Sequence, residues 1–416
     1  MLVLLLAGLL WSEEIVSQPR HFPHGTRDIY IANANGVRTN LLQNIAPIVE
    51  TSISNGKYPG AVVLIGHRGQ IIYRGVFGNR RILPNVSPMH FDTIFDIASL
   101  TKVIATTPAI MQLVEQGKID IDAPVAVYWP AFAKNKKNAV TIRALLTHTS
   151  GLPTEIPHQT KISNERDLLK RIAQLKLRYP AGTKFLYSDL NFMVLAHLLE
   201  IITSEHINTY AQNHIFKPLQ MNNTFFNPAK TIRDRIAPTE LINKKLRWGE
   251  VHDPLAYSLG GIAGNAGVFS DATDLGLFAQ SLLNGGQLPH IKSNHFLGPL
   301  SIIKMTTPQT PKHLVDIRGF GWDIDSPYST RGILFPTQSY GHTGWTGTSL
   351  WIDPVTQTWI VILTSRTHPY PAKNNQLIKD RRTIANIVSA SIVDISSYSL
   401  NNTGKGELNR AFSNIN

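Results

Sequence analysis

The stretch Phe95-Asp96-Ile97-Ala98-Ser99-Leu100-Thr101-Lys102 places a serine and a lysine three positions apart. The apolar run that follows predicts a helix from about residue 98 to 116, ended by Gly117. Residues at i and i+3 share one face of a helix, so Ser99 and Lys102 are expected side by side in its first turn. Free N–H groups at that end can stabilise an oxyanion, and a desolvated lysine can act as a base. The pair therefore predicts a serine nucleophile.

The Ser-x-x-Lys pattern has low specificity, because Ser54–Lys57 and Ser301–Lys304 also match it. Ser54 lies at the end of a predicted helix, and Ser301 follows Gly298-Pro299 without supporting neighbours. Context therefore favours Ser99 over both.

Two further short motifs carry side chains suited to the same chemistry. Tyr187-Ser188-Asp189 comes directly before a predicted helix, and a tyrosine hydroxyl near a cation can relay a proton. His342-Thr343-Gly344 precedes a predicted hairpin. Its glycine lets a substrate approach a strand edge, and its imidazole and hydroxyl can hold a carboxylate. Taken alone, a tyrosine such as Tyr187 is far more often a packed aromatic residue than a catalytic one, and the His342 motif is compatible with a simple turn.

The order of elements along the chain predicts an α+β fold. Residues 12–37 look polar and irregular, and Gly260–Gly267 looks like a glycine-rich loop. Two hairpins are predicted, from Ala61–Ile65 with Ile71–Phe77, and from Ser349–Ile352 with Thr358–Thr364. Besides 98–116, helices are predicted at Leu41–Ser54 (bent or restarted at Pro47), from the N-cap Thr141 to His148, and at 165–176, 189–203 and 376–395. Both chain ends can therefore form one antiparallel sheet around a helical middle.

Together the motifs resemble the signature of the penicillin-recognising serine hydrolases: Ser-x-x-Lys, Tyr-x-Asn, then Lys-or-His-Thr-Gly. The stretches Leu145–Leu152, Gly260–Ser270 and Gly341–Gly347 resemble that family too, so the likeness covers roughly residues 40–395. It is strongest to the class C β-lactamase-like branch, which includes DD-carboxypeptidases and esterases. Within that branch the chain looks most like the low-molecular-mass penicillin-binding proteins known as D-alanyl-D-alanine carboxypeptidases.

The resemblance implies a role for each motif residue and implies no metal and no cofactor. Ser99 would be the nucleophile, Lys102 the base for acylation, and Tyr187 the group that carries a proton to the leaving group. The remaining positions would bind substrate: the N–H groups of Ser99 and Trp345 as an oxyanion hole, His342 and Thr343 at the substrate carboxylate, with Gly344 and Asp189 beside them.

Two positions depart from the family pattern. Asp189 stands where asparagine is usual, and a carboxylate cannot donate a hydrogen bond unless it is protonated. Asp189 could instead pair with Lys102, keep it charged and shift the role of base to Tyr187. His342 replaces the lysine common in β-lactamases, and a neutral histidine holds a carboxylate more weakly. Both departures lower the expected β-lactamase activity.

The expected activity is a D-alanyl-D-alanine carboxypeptidase acting on peptidoglycan stem peptides. The alternatives are a carboxylesterase or weak β-lactamase on the same fold, and a penicillin-binding sensor module that acylates without turnover. Other hydrolase classes lack their motifs: the string 347–351 misses the second glycine of Gly-x-Ser-x-Gly, and no His-Glu-x-x-His is present. The loop 260–267 lacks the ending of a phosphate-binding loop, and His148 and His197 are interpreted as structural.

Charge and cysteine content exclude some partners. The net charge is +12, but the densest basic groups lack interleaved aromatic residues and are interpreted as solvated surface, so no nucleic acid is expected: Lys134, Lys136 and Lys137, and Lys244, Lys245 and Arg247. The 416 residues include no cysteine, which excludes disulfides and thiolate metal sites. The sequence leaves the oligomeric state open.

The ends of the chain predict a division into three parts. Residues 1–11 form an apolar run of signal-peptide length, so 1–17 is interpreted as a signal-like or anchor segment, with a buried N-terminal segment as the alternative. The catalytic domain is predicted at 38–395, with the sheet from about 38–95 and 315–395 and the helical region at about 96–314. Residues 396–416 are expected to be a flexible tail. We therefore expect a periplasmic or secreted protein, either free or anchored to the inner membrane.

Overall fold

The computed structural model describes residues 22–156, 162–288, 294–372 and 375–394. The predicted signal-like segment (1–17) and tail (396–416) lie outside the described residues. Within them, no helix combines the length and hydropathy needed to cross a membrane.

The largest sheet is antiparallel and joins both ends of the chain, as predicted. Its strands lie in the order β1-β3-β2-β14-β13-β12-β11-β10, with β4 attached to β3. Their bounds are β1 Thr26–Ile31, β2 Gly60–His67, β3 Gln70–Arg81, β4 Ser87–Pro88, β10 Ile317–Arg318, β11 Asp323–Asp325, β12 Tyr340–Thr343, β13 Ser349–Asp353 and β14 Thr358–Thr364. Both predicted hairpins are present, as β2/β3 and β13/β14.

Strand β2, at the centre of this sheet, has an unbroken apolar sequence because both of its faces are covered. Val62 and Leu64 pack into a core shared with the helical region, whereas Val63 and Ile65 pack into a second core beneath the terminal helices. Successive side chains of a strand point to opposite faces, so a strand covered on both faces is apolar at every position. The sheet is therefore the middle layer of the molecule.

The interpretation of residues 12–37 as irregular is wrong over β1. This edge strand pairs with β3 from Thr26↔Gly78 to Ile31↔Tyr73. Only part of it is shielded from solvent, and Asp28 forms an ion pair with Arg74 of β3 at 3.1 Å. Besides its backbone pairing, only Ile29 and Ile31 of this strand pack against the core, so its apolar pattern is too short to predict a strand.

Helices cover both faces of the sheet and form the region between its halves. They are α1 Thr39–Leu42, α2 Ile45–Ser54, α3 Thr107–Glu115, α4 Val125–Tyr128, α5 Ile142–Leu146, α6 Glu165–Gln174, α7 Asp189–Thr203, α8 Ile207–Ala211, α9 Pro254–Ser258, α10 Ala272–Leu283, α11 Pro299–Thr306 and α12 Asn375–Ser391. Short strands β5 Phe95–Asp96, β6 Phe225–Phe226 and β9 Val268–Ser270 form a second sheet, and β7 Leu241–Ile242 pairs with β8 Lys245–Leu246. The predicted N-cap is present, because Thr141 accepts a hydrogen bond from the N–H of Ala144 at 3.1 Å.

The predicted helix Leu41–Ser54 is divided before Pro47. Helix α1 ends at Leu42 and α2 begins at Ile45, which places Pro47 in the first turn of α2. Proline tolerates that position because its missing N–H has no partner there, while its ring would clash with the carbonyl of residue 43 in a continuous helix. The restart therefore lies two residues upstream of the proline.

The interpretation of Lys137 as solvated surface is wrong. Its side chain is fully buried, and its Nζ donates to the carbonyl oxygens of Lys134 (2.7 Å), Ala173 (2.9 Å) and Leu175 (2.6 Å). The last two carbonyls lie at the C-terminal end of α6, where backbone acceptors lack helical partners. Burial lowers the pKa of Lys137 to about 8. The Lys137 ammonium group therefore caps the C-terminal end of α6, a role that the clustering of basic residues in the sequence does not predict.

Candidate active site

Ser99 lies in a strained turn rather than in a regular helix. The predicted helix 98–116 is a 3₁₀ turn at Ala98–Leu100, a π-helical turn at Lys102–Thr106 and then α3. Ala98 has a φ of +47°, a left-handed conformation that costs roughly 1–2 kcal/mol for a residue with a Cβ. The Asp96 carboxylate holds this turn by accepting hydrogen bonds from the N–H groups of Ala98 (2.8 Å) and His252 (2.6 Å).

Lys102 is fully buried beneath Ser99 and is surrounded by oxygen atoms. Its Nζ lies 2.8 Å from Ser99 Oγ, 3.1 Å from the carbonyl oxygen of Asn265 and 2.7 Å from Asp189 Oδ1. The contacts between Lys102 and both Ser99 and Asp189 that the sequence suggested are therefore present. The Nζ donates hydrogen bonds to Ser99 Oγ and the Asn265 carbonyl, and Asp189 is its ion-pair partner.

The surroundings of Lys102 favour its charged form. Burial lowers the pKa of this lysine, but the Asp189 carboxylate and the Tyr187 hydroxyl raise it by more, and the net pKa lies above the usual value. Lys102 is therefore an ammonium ion at neutral pH. In that state it can donate hydrogen bonds and stabilise an anion, but it cannot accept the proton of Ser99.

Tyr187 is positioned by a buried histidine and lies over Lys102. Its ring stacks on His148 with 4.3 Å between centroids, and Lys102 Nζ lies 5.0 Å from the Tyr187 ring centre. His148 Nδ1 accepts a hydrogen bond from the N–H of Ser188 at 3.1 Å, and burial lowers the pKa of His148 well below its usual value. A neutral imidazole that holds the 187–188 backbone agrees with the structural role predicted for His148.

His342 and Thr343 occupy the end of β12 that faces the cleft. Strand β11 pairs with β12 at Gly341, so within the described residues no strand pairs with this edge beyond that point. His342 is buried, and burial together with the positive charge of Arg318 lowers its pKa well below the usual value. Its Nδ1 lies 2.9 Å from the Thr343 carbonyl oxygen, which makes Nδ1 the protonated nitrogen. His342 therefore offers no positive charge to a substrate.

Gly344 and Trp345 form the turn after β12, directly against the residues that precede Ser99. A Cβ at Gly344 would lie 2.2 Å from Thr348 Oγ1 and 2.4 Å from the Ile97 carbonyl oxygen, so no larger residue fits. The Thr346 hydroxyl donates to the Asp96 carbonyl at 2.7 Å and ties this turn to β5. The Trp345 side chain remains 60% exposed beside the cleft.

These elements enclose a cleft of about 510 Å³. Six of the eight residues singled out from the sequence line it: Ser99, Tyr187, His342, Thr343, Gly344 and Trp345. Of the other two, Lys102 contacts Ser99 directly, and Asp189 contacts Lys102. The structure thus brings together all eight, from three distant parts of the chain.

Two buried arginines in the cleft were missed by the sequence analysis. Arg318 and Arg381 line it with 4% and 3% of their surface exposed, and the Nε atom of each lacks a hydrogen-bond partner. Arg318 lies 3.8 Å from the Asp323 carboxylate and 6.0 Å from the Tyr187 ring centre. The burial of Arg381 could have been predicted from the sequence, because this residue shares the helical spacing of the apolar residues on the buried face of α12. Those residues include Leu377, Ile384 and Val388.

Comparison with known proteins identifies the family. The model of the family described as Beta-lactamase matches residues 41–383. A protein of Escherichia coli (strain K12) named "Putative D-alanyl-D-alanine carboxypeptidase" is 32% identical over 349 residues, which cover 75% of this chain and 79% of the relative. A protein of the same name from Salmonella typhimurium is 32% identical over 371 residues, covering 80% and 84%.

Solved structures share the fold at lower identity. EstCE1, described as a hydrolase with promiscuous acyltransferase activity, matches with a TM-score of 0.69 and 22% identity over 84% of this chain and 98% of its own. A penicillin-binding protein homologue from Caulobacter crescentus has a TM-score of 0.69 and 20% identity, covering 87% and 99%. A class C β-lactamase has a TM-score of 0.69 and 18% identity, covering 86% and 98%. The α+β prediction is confirmed, and the chain belongs to the beta-lactamase family.

Proposed function

We propose that this chain is a serine hydrolase that forms an acyl-enzyme on Ser99 and acts as a carboxypeptidase on peptides ending in D-alanyl-D-alanine. The observation that carries the proposal is the 2.8 Å contact between Ser99 Oγ and the buried Lys102 Nζ at the floor of a cleft that also contains cationic guanidinium groups. The names of the relatives at 32% identity support the same activity.

The charge of the cleft supports a substrate with a free carboxylate. His342 is neutral, and the Lys102 ammonium group is paired with Asp189. The further positive charge that lines the cleft comes from Arg318 and Arg381. Burial lowers the pKa of Arg381 to about 9, which leaves it charged at neutral pH. Guanidinium groups bind carboxylates through paired N–H donors. Of the two, Arg318 lies nearer the reacting groups, since its charge acts on His342 and its guanidinium faces Tyr187. We therefore assign recognition of the terminal carboxylate to Arg318, with Thr343 beside it.

In the proposed reaction Tyr187, rather than Lys102, moves the proton. Lys102 is held in its charged form and cannot take the Ser99 proton, so Tyr187, which lies over this ammonium group, relays that proton as Oγ attacks the peptide carbonyl. The N–H groups of Ser99 and Trp345 receive the oxyanion. Cleavage of the C–N bond then returns the proton through Tyr187 to the departing D-alanine, and water releases the acyl group by the same route.

Parallel assays with three substrates test the proposal: an N-acylated D-alanyl-D-alanine peptide, benzylpenicillin and a neutral activated ester. We expect release of D-alanine to have the largest kcat/KM. Fastest turnover of the ester would make the chain an esterase instead. A stable penicillin adduct without turnover of any substrate would make it a sensor module.

Substitution of Arg318 separates recognition of a carboxylate from acyl transfer. We expect Arg318→Ala to lower kcat/KM for the peptide by about 10- to 100-fold, because a hydrogen bond to a charged group contributes about 1.5–3 kcal/mol. The neutral ester should lose less than about threefold, which also shows that the variant folds. Equal losses for peptide and ester would contradict the assignment.

The location of the protein follows from the proposed substrate. Peptidoglycan lies outside the inner membrane, and the apolar run at residues 1–11 is consistent with export. We therefore propose a periplasmic or secreted location. Fractionation of cells that express the full chain tests it, and recovery of the protein with the cytoplasm would contradict it.

A further inference from the structure

A cluster of metal-binding side chains lies on the helical region, outside the residues that line the active-site cleft. It consists of Glu165 at the start of α6, Glu200 in the last turns of α7 and His206 directly before α8. One potential ligand atom from each of the three residues lies within 4.8 Å of the other two. No metal-binding motif links these residues in the sequence, because three separate segments supply them.

The turn after α7 brings His206 back towards its own helix. Ser204 ends α7 in the left-handed conformation, with a φ of +59°, and reverses the chain. As a result, His206 Nδ1 lies 3.4 Å from Glu200 Oε1. Glu165 arrives from the neighbouring helix α6, whose N-cap is the side chain of Asn164. The backbone therefore fixes all three residues at the ends of regular elements.

The charge at this cluster is not balanced by a permanent cation. The chain contains 40 lysine and arginine residues, yet among the described residues none forms an ion pair with Glu165 or Glu200. Glu165 and Glu200 each offer a carboxylate oxygen within 4.8 Å of the other, so their negative charges repel. A bound cation would relieve this repulsion.

The cluster borders a cavity of about 250 Å³ that is also lined by residues of the glycine-rich loop 260–267. Its walls include Met193 of α7 as well as Ala263 and Gly264. The Gly264 carbonyl accepts a hydrogen bond from Thr106 Oγ1 at 2.7 Å, and the next carbonyl, that of Asn265, accepts one from Lys102. There is therefore room for an ion with its water ligands beside these three side chains.

We propose that Glu165, Glu200 and His206 bind a divalent first-row ion of the Zn²⁺ type. One imidazole nitrogen and two carboxylate oxygens suit Zn²⁺, with water at the fourth position, whereas Mg²⁺ and Ca²⁺ prefer ligand sets made of oxygen alone. The ion would link α6, α7 and the turn before α8. Because α7 begins at Asp189, the ion would stabilise the helix that carries the partner of Lys102.

Titration of the untagged, chelator-treated full chain with ZnCl₂, followed by calorimetry, tests the site. We expect one equivalent to bind in the micromolar range and the Tm to rise with zinc concentration, since a ligand that binds only the folded state stabilises it. Glu200→Gln and His206→Ala should each weaken binding by at least about tenfold. Millimolar MgCl₂ should neither raise the Tm nor compete with zinc.

His214→Ala provides a matched control. His214 Nε2 lies 3.4 Å from Glu205 Oε1, the same separation as in the His206–Glu200 pair, but among the described residues no second carboxylate completes a cluster there. This variant should bind zinc like the wild type. Absence of zinc binding at micromolar concentrations would overturn the proposal. So would unchanged affinity in His206→Ala, or an equal loss in His214→Ala. The Tm of each variant without zinc shows whether it is folded.

Discussion

Replacing Ser99 by alanine is expected to abolish acylation and to lower turnover of a D-alanyl-D-alanine peptide by at least about 10³-fold. The substitution removes the Oγ that would attack the carbonyl, and loss of a nucleophile typically costs three to six orders of magnitude in rate. The substitution removes a single oxygen atom, and the hydrogen bond from Ala98 to Asp96 that holds this turn does not involve it. The variant should therefore fold. Intact-mass spectrometry after incubation with benzylpenicillin, together with release of D-alanine, measures both effects.

Ser301→Ala is the matched control, because Ser301 and Lys304 form another Ser-x-x-Lys pair. They lie on α11, and Lys304 is exposed there, whereas Lys102 is fully buried. The control variant should form the adduct and release D-alanine at the wild-type rate. If Ser99→Ala still gained the mass of penicillin, or if only Ser301→Ala lost it, Ser99 could not be the nucleophile.

Replacing Asp189 by asparagine is expected to lower the free energy of unfolding by about 3 kcal/mol at neutral pH. Asp189 Oδ1 lies 2.7 Å from Lys102 Nζ, and the lysine is wholly buried. Removing one partner of a fully buried ion pair typically costs about 3–5 kcal/mol, and because 32% of the Asp189 side chain is exposed we expect a loss at the lower end of this range. Urea denaturation between pH 6 and pH 10 measures the loss.

The pH dependence of this loss has a definite sign. In the wild type the pKa of Lys102 is raised, so its contribution to stability is complete below the unfolded pKa and disappears only as pH rises through the folded pKa. Without Asp189, burial dominates and the folded pKa of Lys102 should fall below its unfolded value. The unfolded chain then binds more protons between these two values, so the stability of the variant should rise with pH and approach that of the wild type.

An exposed ion pair controls for the general effect of removing a carboxylate. Asp122 Oδ1 lies 2.6 Å from Arg143 Nε, and 66% of the Asp122 side chain is exposed. Asp122→Asn should cost less than about 1 kcal/mol. A loss in Asp189→Asn that is equally small, or that grows with pH, would show that Lys102 is not held as a buried ammonium ion.

The order of motifs made most of the site predictable. Ser99, Tyr187 and His342 were each ambiguous alone, and their order and separation identified them. The apolar runs of the two hairpins predicted the central sheet, because those strands are stabilised by burial. Burial of apolar side chains is the property that sequence patterns report best.

Other features were hidden because their stability comes from polar groups. Strand β1 offers only Ile29 and Ile31 to the core and is otherwise held by backbone pairing. Lys137 is buried because helix α6 leaves carbonyls without donors. The turn at Ala98 departs from a helix because the buried Asp96 carboxylate accepts a hydrogen bond from the Ala98 N–H. Arg318 could not be placed in the cleft because its position depends on the packing of distant segments.

The pairing of β2 with β14 constrains when the protein can become active during its synthesis. Residues 61 and 364 are neighbours in the register of these strands, although about 300 positions separate them. A chain emerging from the ribosome carries Ser99 early, but it must wait for β12 and the terminal hairpin before the cleft can close. Such long-range contacts form slowly, because closure of a large loop lowers the chain entropy before the new contacts stabilise the fold. A nascent chain, or one that lacks the C-terminal hairpin, should therefore not be acylated. The cell that makes the protein is then not exposed to hydrolase activity before folding is complete.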